Sequence, residues 1–320
     1  MAAASSSPAS QARPAFTWGA ADGGQARQGE AAWGAGCNIK DKEKSRDIPY
    51  KDLYIYYLQG RLKPDKKIIS DYFIGNWQED EFSFLFFSKP SHNEVEKILG
   101  SQPSLTLIDE YYMTYDQWQG GKIAPFKIGR FHIAPPWHKP TIKFNSCIKE
   151  LPIILDPGVV FGTGTHSTTQ DCLKALELVF SREKIESVLD LGTGTGLLAL
   201  AASRLGCKNI LAVELNFLAA STALRNVRLN RLENTVLVVQ AKAEDFIDSP
   251  SDLVIANLHY DVMQHLVNSR GFLKKKWFIL SGLLPSQARD LLYKLSQHPV
   301  NIVNKWECDG IWHTFLGKTY

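Results

Sequence analysis

From residue 187 onward, short apolar runs alternate with amphipathic helical stretches, and this alternation restricts the chain to few folds. SVLDLG (187–192), NILAVE (209–214), TVLVVQA (235–241), DLVIAN (252–257) and KWFILSG (276–282) have the length and apolar content of buried strands. Between them lie the helix GLLALAASRLG (196–206), stopped by Gly206, a helix through ALRNVRLNRL, and helical segments after the fourth and fifth strands. Such alternation predicts a parallel, doubly wound α/β sheet. NIVNKWECDGIWHTFLGK then adds a C-terminal antiparallel hairpin around an Asp309-Gly310 turn. Ligands on such sheets bind beyond the carboxyl ends of the strands, so the residues to question are those that follow each strand.

Upstream the texture differs. With 320 residues, 44% of them apolar, the chain can bury one full core and a second small one. Residues 1–46 are rich in Ala, Ser, Gly and Gln and are expected to be a disordered tail. Its two arginines at 13 and 27 and few acids leave mitochondrial import as an alternative to a cytoplasmic location. Residues 47–118 read as a small α+β unit: strand DLYIYYLQG (52–60), helix PDKKIISDYF (64–73), strand FSFLFFS (82–88), helix SHNEVEKILG (91–100) and strand LTLIDEYYMT (105–114). In the second helix Ser91 and Glu94 form a capping box and Gly100 is the stop. The unit holds no cluster of catalytic residue types, which points to recognition or scaffolding. Residues 119–150, with Pro135-Pro136 and Pro140, read as a connector with one short strand around GRFHIA, ahead of a main domain over 151–320.

Composition narrows the chemistry. The five cysteines (Cys37, Cys147, Cys172, Cys207, Cys308) form no C-x-x-C pair, which argues against structural zinc and disulfides and for a reducing compartment. No metal site is expected. No run of about 18 apolar residues occurs, so no membrane association is expected. A net charge of +3 gives no footprint for direct nucleic-acid binding.

The first strand end is Asp190-Leu191-Gly192-Thr193-Gly194-Thr195-Gly196. A dinucleotide fingerprint, G-x-G-x-x-G, would need glycine where this chain has Leu197, which counts against a nicotinamide-dependent oxidoreductase. The G-x-G-x-G spacing instead suits a nucleoside with a charged amino-acid tail, because the backbone can approach closely and the next helix offers free N–H groups. Glu214 ends the next strand, about 20 residues on, where a carboxylate meets ribose hydroxyls. Ala243-Glu244-Asp245 ends the third, where acid can meet an adenine amine or Asp245 can cap a helix. Asn257 ends the fourth, and its amide can hold an acceptor amine or make a turn.

These strand ends resemble those of the class I S-adenosylmethionine-dependent methyltransferases, with 190–196 as the glycine loop and Glu214 as the ribose carboxylate. A second string narrows the resemblance: Asp156-Pro157-Gly158-Val159-Val160-Phe161-Gly162-Thr163-Gly164-Thr165-His166-Ser167-Thr168-Thr169, with Ala256-Asn257-Leu258 further on, is similar to that of the ribosomal protein L11 methyltransferases, the PrmA family. Pro135-Pro136-Trp137, Leu280-Ser281-Gly282 with Gln287, and Trp306 also match, so the likeness spans roughly residues 50–320. It implies a Rossmann-like methyltransferase sheet, S-adenosylmethionine as cofactor, and a protein N-methyltransferase acting on amino groups of a large-subunit ribosomal protein. It also implies that the unit at 47–118 recognises that protein. A related enzyme acting on another protein or a small amine differs only in acceptor.

By this likeness the cofactor residues are Phe161, Gly162, Thr163, Gly164, Thr165, Asp190, Gly192, Thr193, Gly194, Gly196, Glu214, Ala243, Glu244 and Asn257. Asn257 and His166 stand on the catalytic side. Asn257 positions the amine, and His166 acts as a base or fixes its loop. The loop at 162–165 precedes a helix with a Ser167/Gln170 capping box and folds over the methionine end of the cofactor as a lid. One departure is Leu258-His259-Tyr260, where the family carries small or aliphatic residues; it puts bulk and a titratable ring on the acceptor side.

Overall fold

The computed structural model describes residues 50–63, 68, 70–138 and 150–320; the tail expected over 1–46 lies outside them, as do Cys37, Pro140 and Cys147. In chain order the elements begin with β1 (Asp52–Gln59), β2 (Phe73–Glu79), β3 (Phe82–Phe87), α1 (His92–Ser101), β4 (Thr106–Thr114) and α2 (Tyr115–Trp118). Next come β5 (Phe126–Ile128), β6 (Phe131–Ala134), β7 (Leu151–Ile154), α3 (Ser167–Arg182), β8 (Ser187–Leu191), α4 (Leu197–Arg204), β9 (Asn209–Glu214) and α5 (Phe217–Leu229). The remainder is β10 (Val236–Gln240), a 3-10 turn (Ala243–Asp245), β11 (Leu253–Asn257), α6 (Tyr260–Val267), α7 (Arg270–Leu273), β12 (Trp277–Leu283), α8 (Pro285–Ser296), β13 (Val300–Cys308) and β14 (Trp312–Thr319).

The main sheet has seven strands in the order β10-β9-β8-β11-β12-β14-β13. Its first five are parallel, with Asp190 level with Ala212 and Asn257 level with Ser281. The hairpin enters by its second strand: β14 runs antiparallel to β12, with Thr314 beside Ser281. The strands read as continuous apolar runs because both faces are covered. Ile255, Ile279 and Leu316 point into one core with α3 and α4, while Val254, Phe278 and Phe315 point into the other with α6 and α8. Each such side chain withdrawn from water contributes about 1.5–3 kcal/mol. Strand order reverses beside β8, so a crevice opens where β8, β9 and β11 end.

The small sheet, ordered β2-β3-β1-β4, departs from expectation in its second element. In place of a helix over 64–73, residues 68 and 70–72 are not helical and Phe73 opens β2; residues 64–67 and 69 lie outside the described residues. The phenylalanine-rich β3 explains the difference, since Phe73 packs on Phe87 at 5.1 Å and β2 pairs along β3. Helix α1 runs through Gly100 to Ser101, and the Ser91 hydroxyl donates to the Lys89 carbonyl at 3.0 Å instead of capping the helix. Residues 119–138 hold two strands, not one: β5 and β6 form a hairpin, and β7 joins β6 in parallel as a third sheet. Helix α5 starts at Phe217, earlier than expected, because the Asn216 side chain accepts from the N–H groups of Leu218 and Ala219.

The two sheets share a core. One face of the small sheet (Leu53, Ile55, Phe84, Phe86) packs with Tyr115, with Val159 and Val160 of the loop before α3, and with Leu218 and Ala219 of α5. Its other face covers α1 through Tyr56, Leu85 and Phe87. Among the described residues no helix is long and apolar enough to cross a membrane.

Candidate active site

The two glycine-threonine loops lie against each other and are joined by Thr195. Its N–H donates to the Phe161 carbonyl at 3.0 Å and its hydroxyl to the Gly162 carbonyl at 2.6 Å. The contact is too close for any side chain at Gly194: a Cβ there would lie 2.7 Å from the Phe161 oxygen, and the residue has φ +57°. Gly192, with φ +69°, is similarly covered by the Leu258 side chain. The loop therefore presents bare backbone at the end of β8, and the helix α4 starts at its far side.

Below the loop, Asp190 is buried and accepts from the Thr193 hydroxyl at 2.5 Å. Burial pushes its carboxyl up to about 6, partly offset by the Thr193 and Ala199 hydrogen bonds. Glu214 accepts from the Gly194 N–H with Oε2 and from the Asn216 N–H with Oε1, each at 3.0 Å. Burial raises its pKa as well. Two backbone donors leave each carboxylate oxygen a further lone pair, so Glu214 can still accept from hydroxyls of a ligand. These features fit the amino-acid tail and ribose of S-adenosylmethionine: a bare backbone cradle at a helix start and an acceptor carboxylate one strand away. Ala243 is buried at the end of β10, whereas Glu244 is exposed. Asp245 does not cap a helix; it is the third residue of the 3-10 turn, whose capping position is Lys242.

On the other side, His166 caps α3, so the expected Ser167/Gln170 box is not formed; Gln170 donates instead to the Thr165 carbonyl at 3.1 Å. His166 Nδ1 lies 2.8 Å from Thr168 Oγ1 and accepts from the Thr168 N–H at 3.4 Å. A neutral imidazole that accepts at Nδ1 carries its proton on Nε2, and burial lowers the pKa of His166. Its ring stands edge-on to Trp312 at 5.1 Å. Thr168 also receives the Asn257 Nδ2 group at 3.4 Å, which links β11 to the start of α3. The Asn257 Oδ1 atom faces Gly282, where a Cβ would lie 3.0 Å away.

The departure at 258–260 does not crowd this side as expected. Leu258 covers Gly192, His259 is exposed, and the Tyr260 hydroxyl turns to α8, bonding Asp290 and accepting from Lys294 Nζ at 2.7 Å. Four further residues lie outside the sequence-based set. Thr195 and Thr168 sit inside the two glycine-threonine motifs, Trp312 arrives from the last hairpin, and Asn226 is a polar residue on the buried face of α5. Asn226 donates to the Asp156 and Thr195 carbonyls at 2.8 and 2.9 Å and accepts from the Asp156 N–H, tying both loops to α5. A buried amide in an apolar helical stripe is the signal that marks it.

Strand order and glycine cradle together define a methyltransferase of class I, Rossmann-like fold. The chain belongs to the ribosomal protein L11 methyltransferase (PrmA) family, whose model matches residues 95–319. A ribosomal protein L11 methyltransferase of Clostridium perfringens (strain ATCC 13124) is 34% identical over 199 residues, 61% of this chain and 60% of that protein. A second, from strain SM101, matches to the same extent; the chain thus spans about three fifths of the length of these curated relatives. The crystal structure of ribosomal protein L11 methylase from Lactobacillus delbrueckii subsp. bulgaricus superposes with a TM-score of 0.52 at 25% identity, covering 62% of this chain and 99% of that one.

Proposed function

We propose that this chain is a protein N-methyltransferase that moves a methyl group from S-adenosylmethionine to amino groups of ribosomal protein L11, on lysine side chains or the N-terminal amine. The observation that supports this most is the joining of the two glycine loops through Thr195, next to Glu214 on one side and Asn257 on the other. In this reading Asp190, Gly192, Thr193, Gly194 and Gly196 hold the amino-acid tail, Glu214 the ribose, and Ala243 with Glu244 the base. Residues Phe161 to Thr165 close over the tail. When bound, the sulfonium supplies an electrophilic methyl group whose C–S bond breaks toward sulfur as the bond to the acceptor nitrogen forms.

The acceptor must be a neutral amine. For a free lysine at pH 7 deprotonation costs about 4.6 kcal/mol. The apolar Trp312 ring beside His166 disfavours the ammonium form and reduces that cost. Asn257 Oδ1 accepts an N–H of the amine and turns its lone pair toward the donor, which supplies alignment. His166, already accepting at Nδ1, holds the lid as a helix cap, and the displaced proton leaves to solvent. A ribosomal acceptor goes with a cytoplasmic location.

The test is incubation with labelled S-adenosylmethionine and purified ribosomal proteins, with mass spectrometry of the labelled band. Label on the L11 protein is expected. Label on any other protein or on a small amine alone, with L11 unmodified, ends the claim.

A further inference from the structure

The loop that carries Phe161 is held on two sides, and only one of them belongs to the methyltransferase sheet. Thr195 grips the Phe161 and Gly162 carbonyls from below. Asn226 of α5 holds the loop's start at Asp156, and the small sheet and its exit helix supply further grips. The Tyr115 hydroxyl donates to the Gly158 carbonyl at 2.8 Å, and Gln119 Nε2 donates to the same oxygen at 2.7 Å. Trp77 of β2 sets its indole edge-on to the Phe161 ring, with centroids 5.8 Å apart and planes at 72°. β2 is the outer strand of its sheet, and it reaches this place because Gly75 lets its backbone rest on the Leu218 side chain of α5; any Cβ at 75 would collide with Leu218.

Phe161 needs such a neighbour. Its side chain is 54% exposed, so burial alone does not select one orientation of the ring. An aromatic edge contact does, because the positive ring edge of one meets the negative face of the other. A loop already ordered before a ligand arrives does not charge its ordering entropy to binding.

We infer that the small sheet is a structural wall of the donor site and that Trp77 is a positioning residue: through Phe161 it sets the affinity for the methyl donor without touching it. The inference rests on the methyl-donor reading of the two loops and is independent of which amine is methylated. Because coupling between sites is reciprocal, a protein that binds the small sheet so as to shift β2 alters donor affinity, and the bound donor alters affinity for that protein by the same factor.

The test uses the full chain and S-adenosylhomocysteine, titrated by calorimetry. Trp77→Ala is expected to weaken binding between about three- and tenfold, the fold-change to which one aromatic edge pair converts. KM for the donor rises in step while kcat changes less than about twofold. Trp77→Phe restores most of the affinity, since it keeps a ring edge. Tyr112→Ala is the control, because that ring lies against Tyr54, away from the loop, and it is expected to bind like wild type. Should Trp77→Ala fail to fold, Tyr115→Phe removes only the hydroxyl on Gly158 and is expected to weaken binding about twofold or more. Wild-type affinity in Trp77→Ala or, where that chain is not folded, in Tyr115→Phe overturns the inference, as does equal weakening in Tyr112→Ala, which marks general destabilisation. If the wild-type chain itself does not bind S-adenosylhomocysteine, the donor reading falls, and the inference with it.

Discussion

Replacing Gly194 by alanine tests the joint between the two loops most directly. The residue has φ +57°, where an L side chain costs about 1–2 kcal/mol. The new Cβ would lie 2.7 Å from the Phe161 oxygen and 3.4 Å from its carbon; both are backbone atoms and cannot rotate away. The carbonyl must therefore shift, and its 3.0 Å hydrogen bond from Thr195 goes with it, at a cost of about 1 kcal/mol. The total is roughly 2–3 kcal/mol, equivalent to about 4–10 °C in melting temperature for a unit of this size. S-adenosylhomocysteine affinity should fall about tenfold or more, because the displaced carbonyls border the cradle. Gly206→Ala supplies the comparison. It also has positive φ, +111°, but a Cβ there meets nothing within 4 Å, so it carries backbone strain without a clash. Scanning calorimetry and ligand titration on both variants decide the matter. If Gly194→Ala melts with Gly206→Ala and binds the ligand equally well, the loops are not joined as described.

Four other outcomes follow from the same geometry. Asp190, raised to about 6 by burial, favours the folded state while protonated; that contribution is complete below the unfolded carboxyl range near 3.9 and is lost as pH rises toward 6, a swing of roughly 3 kcal/mol. Asp190→Asn should therefore flatten the dependence of stability on pH between about 4 and 6, and denaturant midpoints showing an unchanged slope would refute it; Glu214 shifts in the same direction and leaves a residual slope. Thr195→Val strands the Gly162 carbonyl and should cost about 1–3 kcal/mol, while Thr195→Ser stays near wild type in thermal melts. Asn257→Ala should lower kcat on the order of 100-fold with a much smaller change in donor affinity, and equal losses in both would remove its positioning role. His166→Gln should leave the pH profile of kcat unchanged and weaken the donor; a lost titration step would instead make His166 a base.

The parallel strands were readable because each is apolar on both faces, as Val254 and Ile255 show by entering opposite cores. The glycine spacing and the carboxylate of Glu214 were readable because backbone approach and strand register leave few substitutes. β2 was not readable: FIGNWQE has no clean alternation, and it becomes a strand because β3 lies beside it. His166 is a weaker cap former than Ser167 by residue type, yet it takes the position since Nδ1 reaches the Thr168 N–H. The Trp77–Phe161 contact joins residues far apart in the chain, and neither periodicity nor spacing carries a trace of such a meeting.

The insertion of β14 between β12 and β13 has a consequence in time. As the ribosome extends the chain, β12 gains its inner neighbour β11 early, but its outer edge stays unpaired until residues 312–319 have been made. Trp277–Leu283, buried along nearly its whole length in the finished protein, spends that interval as an open apolar edge. The strand that closes this edge also brings Trp312 to His166.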